Sequence, residues 1–150
     1  MQNFLLLLAG FALDRISKIF IMQNKLMFLR ENAFLPFIMH IKYVENKGVA
    51  FSMFSSSILA TIILPTILII IFGYFILSLK QKPLHVAYVI LLSGYLGNIY
   101  DRVFYGYVVD MIYFPLFPYF VCNIADILIF TSTLFIAYYV LKKGDLYFGK

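Results

Sequence analysis

The sequence ILATIILPTILIIIFGYFILSL, residues 58–79, contains no charged residue. A helix needs about 20 predominantly apolar residues to cross the hydrocarbon core of a bilayer, so this stretch predicts a membrane-spanning helix. Pro65 lies inside the stretch and predicts a kink, because proline cannot donate the backbone hydrogen bond of its turn.

The composition extends this conclusion to the whole chain. Of its 150 residues, 63% are hydrophobic and 13% are charged, whereas a soluble domain is about half apolar and about a quarter charged. A soluble chain of this length could not bury so much apolar surface, so lipid must cover much of it. We therefore predict one integral membrane domain over residues 1–150.

Three further apolar segments approach the length of a span, at about residues 4–22, 84–100 and 120–141. Together with residues 58–79 they predict four transmembrane helices. The first segment has no preceding basic region and no convincing cleavage site, so we interpret it as a retained span. Both termini then lie on one side, and the positive-inside rule places that side in the cytoplasm, although the two sides carry equal numbers of basic residues. The basic residues that abut span ends on that side are Lys80, Lys82, Lys142 and Lys143.

The first connection, about residues 23–57, is long enough to carry structure of its own. Residues 37–44 alternate partly between apolar and polar, which predicts short strands at the membrane surface. Residues 48–54 are apolar and predict a short interfacial helix. The predicted fold class is therefore an all-α membrane protein with a small β element and one surface helix.

Four aspartates lie in or beside the predicted spans. Asp14 precedes Lys18 by four residues, so the two share a helix face and predict a structural ion pair. Asp101 adjoins Arg102, and both are expected to anchor the end of the third span. The Arg102 guanidinium could instead hold a substrate carbonyl or phosphate.

Asp110 and Asp126 differ, because neither has a Lys or Arg within about seven residues in sequence. Burial raises the pKa of a carboxyl group, and a second carboxylate raises one of the pair further. A pair that shares one proton could activate water and protonate a carbonyl, as in aspartic proteases. The alternative is that each is a buried polar group satisfied by the backbone or by Asn, and composition does not decide between the two.

Other chemistries find little support in the sequence. His40 and His85 form no H-E-x-x-H motif, so we expect no metal. The single cysteine, Cys122, excludes an internal disulfide. The net charge of +5 is spread along the chain without a basic cluster, which argues against nucleic-acid binding.

Four segments, taken together, resemble the lipoprotein signal peptidase family, also called signal peptidase II. The family patterns are D-x-x-S/T-K, N-x-G-x-A-F-S, G-N-x-x-D-R-x-x-x-G-x-V-V-D and N-x-A-D. The matching segments occur in the family's order and are DRISK at 14–18, NKGVAFS at 46–52, GNIYDRVFYGYVVD at 97–110 and NIAD at 123–126. The departures are small: Met111 and Cys122 stand where phenylalanine is usual, and Arg15 where glutamine is common.

The resemblance implies a bacterial inner-membrane aspartyl endopeptidase without a cofactor. It would cleave the signal peptide of a prolipoprotein before a cysteine that carries a diacylglyceryl group. It would act as a monomer among membrane lipids, with an extracytoplasmic β-cradle and its active site towards the outer leaflet. The implied residue roles are catalysis for Asp110 and Asp126, substrate positioning or dyad support for Asn46, Asn98, Arg102 and Asn123, and structure for Asp14, Lys18 and Asp101.

Two alternatives remain open from the residues alone. The same acids could serve as a proton relay in a small proton-coupled membrane transporter subunit, or the chain could be a non-catalytic assembly factor. The long, strand-like first loop argues against the relay, because proton transfer does not require it.

Overall fold

The structure is a computed structural model and describes residues 1–29, 32–35, 38–48, 57–117 and 120–148. It is mostly helical and carries a small antiparallel sheet. The helices are α1 (Gln2–Gln23), α2 (Lys25–Phe28), α3 (Leu64–Ser78), α4 (Lys82–Tyr105) and α5 (Ile124–Phe148), with a π-helical turn at Leu59–Ile63. The strands are β1 (Asn32–Leu35), β2 (Met39–Asn46), β3 (Val108–Tyr113) and β4 (Val121–Cys122).

Helix α4 is the centre of the bundle and packs against α1, α3 and α5. Two helical stretches, Leu59–Ser78 and Ile124–Lys143, are long and apolar enough to cross a membrane. Among the described residues α1 and α4 do not meet that test, and both contain charged side chains. Helix α3 buries only Gly73 and Ile76 and exposes most of its large apolar side chains. An apolar surface of this extent is typical of a face that another apolar phase covers.

The helix type changes next to Pro65, where the sequence predicts a kink: a π-helical turn passes directly into α3. The π-helical turn precedes α3, and the Leu64 N–H donates to the Leu59 carbonyl five residues back. Pro65 is the second residue of α3 and follows this turn without a break in the helix. Thr66 donates its hydroxyl to the Ile62 carbonyl at 2.6 Å, which satisfies an acceptor in the widened turn.

The predicted strand in the first connection is confirmed as β2, shifted by two residues at each end to Met39–Asn46. The sheet has the order β1-β2-β3-β4, and all neighbouring strands are antiparallel. Strand β3 is not predicted by the sequence, because residues 101–119 have the pattern of a connection. The predicted interfacial helix at 48–54 falls, from residue 49 onward, outside the described residues.

The start of the fourth predicted span is wrong by four residues. The chain at Val121–Cys122 pairs with β3 instead of forming helix, and α5 begins at Ile124. One hydrophobic cluster joins this sheet to the end of α1 and contains Ile21, Phe28, Tyr43, Val109, Met111, Ile112 and Cys122. The sheet is therefore packed directly onto the helical bundle, at the end where α1 and α4 finish and α5 begins.

Candidate active site

Asp110 lies in the middle of β3 and is only 1% exposed. The register of the sheet places it opposite Val44, two residues before Asn46 on β2. The Asn46 amide donates to Asp110 Oδ2 at 2.9 Å, and the Asn123 amide donates to Oδ1 at 2.6 Å. Both carboxylate oxygens therefore accept a side-chain amide, one from the adjacent strand and one from the entry to α5.

Asp126 occupies the third position of α5 and closes a reciprocal cap with Asn123. The Asn123 Oδ1 accepts the Asp126 N–H at 2.9 Å, and Asp126 Oδ2 accepts the Asn123 N–H at 3.1 Å. This is the geometry of a capping box, in which two otherwise unpaired backbone donors are satisfied at once. The N-x-A-D segment therefore starts the helix, and the helix dipole favours a negative charge at this position.

Two asparagines connect the two acids. The remaining oxygen of Asp126, Oδ1, accepts the Asn98 amide at 2.8 Å. Asn98 Oδ1 in turn accepts the Asn123 amide at 3.1 Å, and the same Asn123 nitrogen donates to Asp110. An amide bridge of Asn98 and Asn123 thus joins Asp110 to Asp126, although the acids lie on different elements.

The environment of Asp110 favours a proton on this carboxyl group. Burial raises its pKa to about 7, and the nearby Asp126 carboxylate contributes to the same rise, against the lowering effect of the amides of Asn46 and Asn123. The two carboxyl groups are therefore close enough to interact electrostatically. A group with this pKa is about half protonated at neutral pH.

Asp14, Lys18 and Asp101 form a fully buried ionic cluster. The predicted pair of Asp14 and Lys18 is confirmed, with Lys18 Nζ 2.9 Å from Asp14 Oδ2. Asp101, which we expect to anchor the end of the third span together with Arg102, forms ion pairs with Arg15 and with Lys18, the latter at 3.0 Å. Consecutive residues of a helix point in different directions, so these ion pairs of Asp101 are made with α1.

This cluster holds the backbone beside each acid of the candidate site. Asp14 Oδ1 accepts the N–H of Ala125 at 3.0 Å, and Ala125 directly precedes Asp126. Asp101 Oδ2 accepts the N–H of Val109 at 3.1 Å, and Val109 directly precedes Asp110. The two buried aspartates therefore fix the two candidate acids through matching contacts, which sequence reasoning missed because both contacts join residues on separate elements.

Two glycines allow this arrangement. A Cβ at Gly97 would collide with the Asp14 carboxylate, so only glycine lets α1 bring that group against α4. Gly106 ends α4 in the left-handed conformation, with φ of 78°, and turns the chain into β3.

Arg102 contributes a third cation near the acids. Its guanidinium donates to the carbonyl of Gly48 at 3.3 Å and interacts electrostatically with both Asp126 and Asp110. Arg102 therefore ties the end of the N-x-G segment to the site. Among the residues that the structure describes, no group of three or more His, Cys, Asp or Glu side chains is placed to hold a metal ion.

All nine residues singled out in the sequence lie in this one region. Lys18 Nζ donates to Asn98 Oδ1 at 2.9 Å and so joins the ionic cluster to the amide bridge. With this contact and those above, eight of the nine are connected, and Arg102 adjoins them through its charge and Gly48. Arg15 is the member that the sequence argument left out of the candidate set. Its signal was available, because a charged residue inside an apolar span is unusual without a function or a partner.

Comparisons with known proteins identify the family of the chain. The profile described as signal peptidase (SPase) II matches residues 6–142. The lipoprotein signal peptidase of Clostridium acetobutylicum is 32% identical, with 99% of each chain covered, and that of Clostridium novyi is 35% identical over 93% of this chain and 97% of the relative. A bacterial membrane enzyme solved by the in meso method at 2.3 Å resolution superposes with a TM-score of 0.84 at 26% identity, covering 95% of this chain and 89% of that chain. A profile match over nearly the whole chain, together with relatives of this identity and coverage, shows that the protein belongs to the signal peptidase II family of lipoprotein-processing membrane proteases.

Proposed function

We propose that Asp110 and Asp126 are the catalytic dyad with which this peptidase cleaves a prolipoprotein before its diacylglyceryl-modified cysteine. The observation that carries the proposal is the bridge of Asn98 and Asn123, which joins the two carboxyl groups in one hydrogen-bonded unit. A buried acid that acts alone would need hydrogen-bond partners of its own and no connection to a second acid. The bridge holds the two carboxyl groups near each other, as two acids that act on one water molecule must be.

The dyad works with one proton. Asp110 has the raised pKa and holds the proton, whereas Asp126 lies at the positive end of α5 and acts as the base. Asp126 takes a proton from water as its oxygen attacks the scissile carbonyl carbon, and Asp110 gives its proton to the carbonyl oxygen. The tetrahedral intermediate then collapses as its C–N bond breaks, Asp126 returns a proton to the departing amine, and Asp110 regains its own.

The charges around the site support a single shared proton. The polar region contains four aspartates and three cations. One negative charge is therefore in excess if every acid is ionised, and a single proton on the dyad removes it. The cations are Arg15, Lys18 and Arg102. Because unpaired buried charge is costly, the neutral arrangement is the stable one.

The remaining residues take supporting roles in this proposal. Asn46 and Asn123 orient Asp110, Asn98 orients Asp126, and Arg102 holds the loop at Gly48 against which the substrate backbone would lie. Asp14, Lys18 and Asp101 are structural, since each is fully buried and held by the ion pairs and backbone contacts of the cluster.

In the membrane we propose four spans formed by α1, the helix from residue 59 to 78, α4 and α5, within a single domain over residues 1–150. The dyad lies where α4 ends and α5 begins, at the opposite end of the bundle from the turn at Lys80 and Lys82. With that basic turn and both termini in the cytoplasm, the dyad faces the outer leaflet of the inner membrane. We propose that the chain acts as a monomer, because the site is assembled from one chain.

The test uses purified protein and a synthetic prolipoprotein peptide that carries diacylglyceryl-cysteine. We expect cleavage on the amino side of that cysteine, identified by mass spectrometry, and little cleavage of the same peptide with an unmodified cysteine. The double variant Asp110→Asn/Asp126→Asn is the enzyme blank. Cleavage that survives in this variant would contradict the assignment of the dyad, whereas the absence of cleavage by the wild-type protein would favour a non-catalytic assembly factor. Proton flux into liposomes without peptide, lost in the double variant, would favour the proton-coupled transporter subunit.

A further inference from the structure

A cleft of about 650 Å³ lies between the N-terminal ends of α1 and α4 and the middle of α5. Lys82, which lines it, and Asn98 of the candidate active site belong to the same helix and lie about 24 Å apart at 1.5 Å per residue. The cleft is therefore separate from the dyad, and nothing in the proposed reaction uses it.

Ser132 presents an unpaired hydroxyl to this cleft. The residue is only 5% exposed and lines the cavity. Its neighbours Thr131 and Thr133 each donate to a carbonyl of α5 at 2.7 Å, whereas the Ser132 hydroxyl makes no hydrogen bond to any residue that the structure describes. The residue is nearly buried, but its hydroxyl oxygen is still accessible from the cleft, so it can pair with a ligand there.

His85 lines the same cleft and also carries a polar atom without a hydrogen-bond partner among the described residues. Its Nε2 atom is buried and lacks a hydrogen-bond partner within the described part of the chain. Ser132 is on α5 and His85 is on α4, so the two unsatisfied groups come from different helices and converge on one cavity. Two such groups point to a polar ligand between these helices.

The charge of the cleft selects an anion. Lys82 contributes an ammonium group, and no acidic residue is among the described residues that line the cavity. The N-termini of α1 and α4 both meet here, and neither has a side-chain cap or an acidic residue in its first turn. Their free N–H groups and the positive ends of their dipoles add to the lysine charge.

The wall also contains the polar residues Gln2, Asn3 and Thr131, and an apolar part that includes Val86, Ile90 and Phe135. A ligand that is anionic at one end and apolar at the other, at the helix ends of a membrane protein, has the chemistry of an anionic phospholipid. We propose that this cleft binds such a lipid, with Lys82, His85 and Ser132 around the phosphate and Ile90 and Phe135 against an acyl chain. The inference rests on the proposed placement of the helices in the bilayer but not on the catalytic assignment.

The test is native mass spectrometry of the purified protein titrated with phosphatidylglycerol, with zwitterionic phosphatidylcholine as the comparison lipid. We expect one phosphatidylglycerol to bind at least about tenfold more tightly than phosphatidylcholine. Lys82→Gln and Ser132→Ala should each weaken phosphatidylglycerol binding by about tenfold, as expected for losing one hydrogen bond to a charged group. Lys80→Gln is the matched control, because Lys80 lies in the same turn but does not line the cleft.

Three results would overturn this inference. Equal affinity for the two lipids would remove the anion preference, and equal weakening by Lys80→Gln and Lys82→Gln would reduce it to general surface attraction. Inorganic phosphate in excess that displaces the lipid completely would indicate a site for a soluble anion.

Melting curves by circular dichroism verify that each variant is folded. The dyad variant Asp110→Asn should retain lipid binding, so failure of the catalytic proposal and failure of this one are distinguishable.

Discussion

Replacing Asp110 by asparagine should change how the stability of the protein depends on pH. The pKa of Asp110 is about 7 in the folded protein and 3.8 in its ordinary environment. Between these pH values the folded state binds the extra proton, so the free energy of unfolding must fall as pH rises. Below the lower value both states are protonated, and above the upper value the full penalty for a buried carboxylate is present.

The size of the effect follows from the shift. Each pKa unit corresponds to about 1.4 kcal/mol, so roughly three units amount to about 4 kcal/mol across the full window. The amide that replaces the Asp110 carboxyl group cannot ionise, and its single oxygen can accept from only one of the two present donors, Asn46 and Asn123. The lost hydrogen bond costs about 1–3 kcal/mol, but that cost does not vary with pH. The diagnostic quantity is therefore the change with pH in the difference between the two free energies of unfolding, and not the size of that difference at one pH.

The assay is thermal unfolding in detergent, followed by circular dichroism at several pH values from 5 to 8. Between pH 5 and 8, the free energy of unfolding of Asp110→Asn should rise by about 3 kcal/mol relative to that of wild type. This corresponds to roughly 6–12 °C in melting temperature for a chain of this size. Glu45→Gln is the control. Glu45 lies on the strand that carries Asn46 and pairs at the surface with Lys25 at 2.8 Å, which lowers its pKa, so it stays ionised throughout.

A constant difference in melting temperature between Asp110→Asn and wild type from pH 5 to 8 would refute this reasoning. It would mean that Asp110 does not take up a proton near neutrality. The one-proton dyad would then lose its physical basis, even if Asp110 proved necessary for cleavage.

Three further predictions follow from the same contacts. Cleavage should lose kcat/KM as pH rises through about 7, because Asp110 then loses the proton it must donate, and a profile that still rises above pH 8 would contradict this role. Lys18→Met should destabilise the fold by about 3–5 kcal/mol, since Asp14 and Asp101 lose a buried cation, and an unchanged melting temperature would show that the cluster does not stabilise the protein. Asn98→Ala should lower kcat roughly 10- to 100-fold with KM nearly unchanged, because it removes the bridge without removing an acid; loss confined to KM would assign Asn98 to substrate binding instead.

Much of the helical framework could be predicted from hydropathy, because each long helix contains a predominantly apolar segment, although charged residues interrupt the segment in α1. The predicted helix boundary that proved wrong is one that strand pairing and helix capping determine. Residues 121–122 are as apolar as the span that follows, but they pair with β3, and Asn123 then caps α5. Strand β3 escaped prediction because it is buried at almost every position and shows no alternation, and its partner β2 lies far away in sequence.

The residues of the site could be predicted from the sequence, but most of the contacts between them could not. The two acids stood out because they lacked local cations, and the Asp14–Lys18 pair followed from helix spacing. The contacts of Asp14 with Ala125 and of Asp101 with Val109 could not be read from the sequence, because each joins residues that only the packed fold brings together. The same holds for the ion pairs that Asp101 forms with Arg15 and Lys18 of α1.

The central claim is that Asp110 and Asp126 are both required for peptide hydrolysis, whereas the fold persists when either is replaced. Its most direct test is the single-turnover cleavage rate of the diacylglyceryl-modified peptide by Asp110→Asn, Asp126→Asn and the control Glu45→Gln. We expect each dyad variant to be at least about 100-fold slower than wild type and to remain folded, with the control unchanged. A rate within about tenfold of wild type in either dyad variant would contradict it.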